Sequence, residues 1–325
     1  MRAPSGWRRS RPGPLAWALS PLGFLYGAAT ARRMARPGVS VGVPVLCVGN
    51  FTVGGAGKTP TAMALARMLR VAGERPAFLS RGYGGERRAA SVRVGPIADS
   101  ARRVGDEPLL LARVAPCYVG PDRVASAKLA IEDGASVLVM DDGLQNPSLE
   151  KTLTIAVVDG EAPFGNGLCL PAGPLRAPVA AQTPFVDALV MIGGDEAAAV
   201  AVAARAPGKP LFRARLKADA IAASQLIGRP VLAFAGIANP DKFFATLEGI
   251  GAQVAERDVF PDHWLFRPRE IERLVARAAR RGLTPVCTEK DFVRLPANFA
   301  DEVRTLPVTL AFDDARAVSA WLQAL

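Results

Sequence analysis

The stretch GNFTVGGAGKTP, residues 49–60, constrains this chain more than any other. It closes VPVLCVGN (43–50), a continuous apolar run of the kind that forms a buried parallel strand. It opens TPTAMALARMLRVAG, where Ala62, Leu65, Ala66 and Leu69 recur at helical spacing up to the stop at Gly73. Strand, glycine-rich turn and helix in that order make a phosphate-binding loop. Backbone N–H groups converge on an anion at a helix N-terminus, a lysine reaches the outer phosphate oxygens, and a hydroxyl faces a magnesium ion. Gly54, Gly55 and Gly57 permit the turn, Lys58 is the cation and Thr59 the hydroxyl. The expected nucleotide contacts are Thr52, Val53, Gly54, Gly55, Ala56, Gly57, Lys58, Thr59 and Pro60. The usual pattern carries Gly where this chain has Thr52, so the first turn is expected to tolerate a side chain there.

Further apolar runs at 77–79, 117–119, 136–140, 153–158 and 186–192 alternate with helix-like or loop segments. That grammar implies α/β architecture: a P-loop NTPase-like, mainly parallel sheet with helices on both faces. RPVLAFAGIANPDKFFATLEGIG starts the strand-turn-helix grammar again, followed by a strand around Val254 to Val259 and a helix in PREIERLVARAARRG (268–282). TPVCTEKD and VTLAF supply two more strands, and DARAVSAWLQAL closes the chain as a helix. The expected division is an N-terminal segment at 1–36, a P-loop domain at 37–205 and a smaller α/β domain at 206–325.

The net charge of +10 would suit a nucleic-acid binder if it were spread over the chain. Instead, Arg2, Arg8, Arg9, Arg11, Arg32, Arg33 and Arg36 supply seven of those charges with no acid among them, leaving +3 elsewhere. Between Arg11 and Arg32 lies uncharged PGPLAWALSPLGFLYGAATA. Apolar residues between arginines suit a membrane interface with anionic headgroups. Pro12, Pro14 and Pro21 are expected to leave about ten residues of unbroken helix, short of the roughly 20 needed to cross. A signal peptide has a similar charge-then-apolar order, and a helix packed on the protein's own surface is the plain alternative. The four cysteines are scattered without metal-ligand or disulfide spacing, which fits a reducing cytoplasm.

Three further stretches carry chemistry. VLVMDDGLQ (137–145) puts Asp141 and Asp142 at the C-terminal end of a buried strand, where they either bind magnesium or start a turn. In RVGDEPLLLARV (103–114), Asp106 and Glu107 precede Pro and a helix, which taken alone is capping chemistry. FPDHWLF holds His263, the only histidine, either a structural residue or a proton-transfer group.

The motifs GNFTVGGAGKTP, SRGYGG, GDEP, DDGLQN, PAGPLR, FPDH and TEKDFVRL occur together in the order found in tetraacyldisaccharide 4'-kinases, and over most of its length the chain resembles that family. The resemblance implies an inner-membrane enzyme phosphorylating the lipid A precursor. ATP and magnesium would sit at Lys58 and Thr59, with Asp141 and Asp142 serving metal and phosphates. Asp106 with His263 would deprotonate the sugar hydroxyl, and Arg81 and Arg176 would lie near substrate or phosphate. The family usually continues PLR with Glu, where this chain has Ala177.

The acceptor implied is a tetraacylated glucosamine disaccharide 1-phosphate, met at the cytoplasmic face of the inner membrane by a monomer that binds no nucleic acid. The rival reading is a membrane-recruited P-loop ATPase switch acting on a protein partner. That class commonly has lysine where this chain has Val53.

Overall fold

The computed structural model describes residues 5–8, 11–86 and 90–325. Arg2 and Arg9 of the basic segment lie outside the described residues. In chain order the strands are β1 (Val45–Asn50), β2 (Pro76–Ser80), β3 (Val92–Arg93), β4 (Cys117–Val119), β5 (Val137–Asp141), β6 (Leu153–Asp159) and β7 (Ala188–Ile192). They continue as β8 (Leu211–Ala218), β9 (Pro230–Ala235), β10 (Gln253–Val259), β11 (Thr284–Cys287), β12 (Arg304–Thr305) and β13 (Val308–Phe312).

Nine of them form one sheet in the order β13-β8-β7-β6-β1-β5-β2-β4-β3. Its central strands pair in parallel, and only β13 with β8 and β3 with β4 run antiparallel. β1, β2, β5 and β7 are buried at every position, as their unbroken apolar runs require between two layers of helix. β1 lies between β5 and β6, so the loop after β1 opens at the carboxyl edge of the sheet, flanked by Asp141 on one side and Asp159 on the other. The other four strands form a parallel sheet in the order β10-β9-β11-β12, with its own apolar core around Phe234, Phe244, Leu247 and Ile271.

The expected second domain at 206–325 needs correction in its strand content. β8 and β13 belong to the large sheet, and Val318 and Leu322 of the last helix pack into the core of that sheet. The second sheet is therefore an insertion between β8 and β13. The two connections run side by side, with Asp219 N donating to Pro307 O at 2.9 Å.

The N-terminal helix also departs from expectation. It runs unbroken over Pro14–Met34, straight through Pro21. Proline cannot donate to the carbonyl four residues back. That carbonyl, Trp17 O, instead accepts the Ser20 hydroxyl at 2.7 Å. Gly23, Gly27, Thr30 and Met34 form the buried stripe of the helix, and a Cβ at Gly27 would stand 2.8 Å from Cys169 Sγ. Leu15, Trp17, Leu22, Phe24, Leu25 and Tyr26 are exposed. Among the described residues, no helix is long and apolar enough to cross a membrane.

Candidate active site

The loop after β1 answers the question of Thr52. Among the described residues, only Asp142 and His263 have positive φ without being glycine, so Thr52 needs no left-handed backbone. Its strand-like pairing with Leu175, the Val53 N to Pro174 O bond of 2.8 Å and the Arg176 Nε to Thr52 O bond of 3.1 Å pin the first turn to the PAGPLR segment. The left-handed positions fall on Gly54 and Gly57, at φ of 109° and 86°. Gly54 and Gly55 face open space, leaving the room an anion needs against backbone N–H groups, and the helix Lys58–Val71 starts directly behind them.

Lys58 Nζ folds back to Gly54 O at 3.2 Å and lies 3.7 Å from Asp142 Oδ1. Arg176 Nη2 reaches the other oxygen of Asp142 at 3.0 Å. Burial works against a charge on Asp142, but the flanking Lys58 and Arg176 outweigh it and lower its pKa. Asp141, the last residue of β5, is buried, and its Oδ2 accepts the Thr59 hydroxyl at 3.3 Å. Its pKa is pushed up to about 7 by burial first, then by the charges of Glu107 and Asp142.

Asp141 Oδ1 is buried with no hydrogen-bond partner. Two hard oxygen donors, one of them with an unused lone pair, fit a divalent cation such as magnesium. Among the described residues, no three His, Cys, Asp or Glu side chains gather to hold a metal. The chain thus offers one carboxylate and one hydroxyl, the sparse protein ligation that magnesium shares with phosphates and water.

Asp106 sits in the first turn of the helix Asp106–Ala112, whose N-cap is Gly105 at φ 90°. The cap position itself is taken by Gly105, while Asp106 accepts a backbone N–H in the first turn, as expected. One oxygen, Oδ1, accepts the Glu107 N–H at 2.9 Å, and Oδ2 faces the second sheet's unit, 2.9 Å from His263 Nδ1. The two residues, 157 positions apart, meet across the junction of the two units. Burial would raise the Asp106 pKa, but the His263 hydrogen bond and the charges of Lys290 and Arg294 outweigh it and bring it down to about 2. His263 adopts φ 59°, and its ring meets that of Tyr83 in a T-shaped pair with centroids 5.2 Å apart.

Arg81 is exposed, and its charge acts on buried Arg123. The structure therefore brings together Lys58, Thr59, Asp141, Asp142 and Arg176 at the loop and joins Asp106 to His263. Sequence reading missed the ties between the units: Lys290 Nζ to Glu107 Oε1 at 2.7 Å, Arg294 Nε to Asp106 Oδ2 at 3.3 Å, and Lys242 Nζ to Asp159 Oδ1 at 3.0 Å. Two of these lie in TEKDFVRL, a motif to which no role had been attached. It also missed Gln145 and Gln182, buried beneath the loop, whose side chains bond at 2.7 Å and reach Asn50 O and Phe51 O.

Residues 15–325 match the sequence model of the LpxK family, tetraacyldisaccharide-1-P 4'-kinase. The tetraacyldisaccharide 4'-kinase of Methylobacterium sp. (strain 4-46) is 56% identical over 326 residues, covering 100% of this chain and 98% of that one. The enzyme of the same description from Rhodopseudomonas palustris (strain BisB18) is 51% identical, over 98% of this chain and 94% of its own. The crystal structure described as the "apo" form of LpxK from Aquifex aeolicus in complex with ATP is similar at a TM-score of 0.75. That protein is 27% identical, with 95% of this chain and 98% of that one covered.

Proposed function

The chain belongs to the tetraacyldisaccharide-1-P 4'-kinase family, and from that premise we propose which of its residues carry the transfer. It is a kinase of lipid A biosynthesis that moves the γ-phosphate of ATP to the 4'-hydroxyl of tetraacyldisaccharide 1-phosphate. Family membership sets aside the switch ATPase with a protein partner.

A sugar hydroxyl is a weak nucleophile, so transfer needs in-line placement, neutralised phosphate oxygens and an acceptor for the hydroxyl proton. The backbone N–H groups of Gly54, Gly55, Gly57, Lys58 and Thr59 cradle the phosphates, while Thr52, Val53, Ala56 and Pro60 complete the loop around them. Lys58 and Arg176, which share Asp142, turn to the phosphate oxygens as these compete with that carboxylate. A magnesium ion held by Thr59 and Asp141 would supply charge neutralisation at the β- and γ-phosphate oxygens. Arg81 lies near substrate or phosphate. The observation that carries the proton-transfer reading is the His263 Nδ1 to Asp106 Oδ2 contact of 2.9 Å. With both Asp106 oxygens engaged and its pKa at about 2, the carboxylate is a poor base. His263 Nε2 takes the 4'-hydroxyl proton, while Asp106 orients the ring and stabilises the imidazolium that forms.

The exposed apolar side chains of the N-terminal helix, between Arg11 and the arginines at 32, 33 and 36, support work at a membrane surface. There the acyl chains stay in the bilayer and the sugar reaches the cytoplasmic site of a monomeric enzyme. The deciding experiment is transfer from labelled ATP to the tetraacyl disaccharide 1-phosphate in mixed micelles. Wild type should label the lipid, Lys58→Ala should lose labelling, and His263→Asn should bind ATP normally yet turn over about 10²- to 10⁴-fold more slowly. Normal turnover by His263→Asn would refute the proton-transfer role.

A further inference from the structure

Among the described side chains that join the two units, Arg294 is the most deeply buried. Its side chain is 1% exposed and lies against Asp106 at 3%. Two of its nitrogens donate hydrogen bonds, and two approach carboxylates as ion pairs, Nη2 without a hydrogen bond. Nε stands 3.3 Å from Asp106 Oδ2 and donates to Lys290 O at 2.8 Å. Nη1 donates to Gly236 O at 3.0 Å and Trp264 O at 3.2 Å. Nη2 lies 3.2 Å from Asp291 Oδ1, and that same oxygen accepts Gly236 N at 2.8 Å.

Those carbonyls are the ones that fix His263. Gly236 O also accepts the His263 N–H, at 3.1 Å, and Trp264 is the next residue in the chain. His263 itself holds a left-handed backbone, which is strained for an L side chain and needs surrounding bonds to persist. A single planar guanidinium thus forms an ion pair with the carboxylate of one unit and donates hydrogen bonds to the backbone that holds the imidazole of the other.

We propose that Arg294 is a positioning residue for phosphoryl transfer, setting the Asp106–His263 pair in one geometry across the two units. The proposal rests on the reading that this pair handles the hydroxyl proton. Lysine cannot substitute fully, because a point charge on a flexible stem reproduces the charge but not the fork. The charged and titratable groups facing Asp106 are His263 from the loop after β10, Lys290, Asp291 and Arg294 from the segment after β11, and Glu107 beside it, while Asp262 and Tyr83 face His263. Removing the cation of Arg294 makes it easier for the pair to hold a proton.

The test is the pH dependence of kcat, measured on the full chain in mixed micelles for Arg294→Gln and Arg294→Lys beside wild type. Arg294→Gln should lose about tenfold or more in kcat, keep its KM for ATP within about threefold, and shift the acidic limb to higher pH. Arg294→Lys should recover part of kcat and return the limb toward wild type. Wild-type kcat with an unmoved limb in Arg294→Gln overturns the proposal. So does a loss of kcat with an unmoved limb that lysine does not restore, since that marks a packing role alone.

Where circular dichroism shows Arg294→Gln unfolded, Arg294→Lys decides: unchanged kcat and limb overturn the proposal, and a partial loss with a shifted limb supports it. Asp106→Asn and His263→Asn run in the same assay. If they turn over normally, the reading of the pair has failed; if they are slow while Arg294→Gln is normal, only the role of Arg294 has.

Discussion

Replacing Asp106 by Asn keeps the shape of the side chain and removes one charge from a pocket built around it. The wild-type carboxyl titrates at about 2 instead of 3.8, with burial opposing the shift and the His263 hydrogen bond, Lys290 and Arg294 outweighing it. A difference of nearly two pH units corresponds to about 2 kcal/mol of stability carried by the ionised form. Because the folded value is the lower one, that stability is fully present above the unfolded value, near pH 4, and is lost as pH falls through about 2. Asn cannot supply it at any pH. Denaturation of both proteins between pH 7 and pH 3 should therefore show Asp106→Asn less stable by about 2 kcal/mol near neutrality, with the gap closing below pH 4. The same variant should lose about 10²- to 10⁴-fold in kcat, because the imidazole loses the charge that orients it, and should keep its KM for ATP. A stability gap that stays constant or widens toward acid, or an unchanged kcat, would refute this account of the site.

Thr52→Gly should leave the KM for ATP within about twofold and cost no more than about 1 kcal/mol of stability, since the native turn uses no left-handed backbone at Thr52. A several-fold tighter ATP interaction on kinetic assay would show that Thr52 obstructs the loop. Gly57→Ala should cost about tenfold or more in kcat/KM, because φ is 86° and the new Cβ would stand 2.4 Å from Ile192 Cδ1. Combining it with Ile192→Val removes that atom and should return part of the loss, and no recovery would place the whole cost on the backbone. Aspartate at Leu22, Phe24 and Leu25 should weaken co-sedimentation with anionic vesicles while leaving ATP-dependent thermal stabilisation intact. Equal sedimentation of wild type and variant would remove the helix from membrane binding.

The parts legible in the sequence are those in which one contiguous stretch holds both the chemistry and its scaffold. GNFTVGGAGKTP and VLVMDDGLQ each carry a buried strand and the residues it delivers, so the site at the carboxyl edge could be located before any coordinates. β8 was missed as part of the large sheet because LFRARLKA alternates charge with apolar residues, and three of its eight residues are exposed. VTLAF was read as a strand but not as the returning end of an insertion, because a strand's own residues do not say which sheet it joins. The helix through Pro21 was misjudged because the rescue comes from Ser20, a hydroxyl bonding the orphaned carbonyl one turn back. Arg294 stayed hidden for a further reason: nothing in TEKDFVRL marks its arginine, and only the fold brings Asp106 to it.

The bonds that cross between the units are mainly ionic, and this bears on what they do. Lys290 with Glu107 and Lys242 with Asp159 are partly solvated, and pairs of that kind contribute about 0–1 kcal/mol each. They cannot hold the units together by strength. Their geometry is another matter: each joins a residue of the inserted unit to one beside the glycine-rich loop or in the Asp106 helix, and with Arg294 they tie the units at three separate points. A large apolar seam would have tied the units more tightly, but it would have left Asp106 and His263 free to sit at any of several similar distances. Charged pairs with short, directional contacts instead fix the register in which Nδ1 and Oδ2 meet at 2.9 Å. For a reaction whose rate depends on sub-ångström placement of the nucleophile, register is the more valuable property.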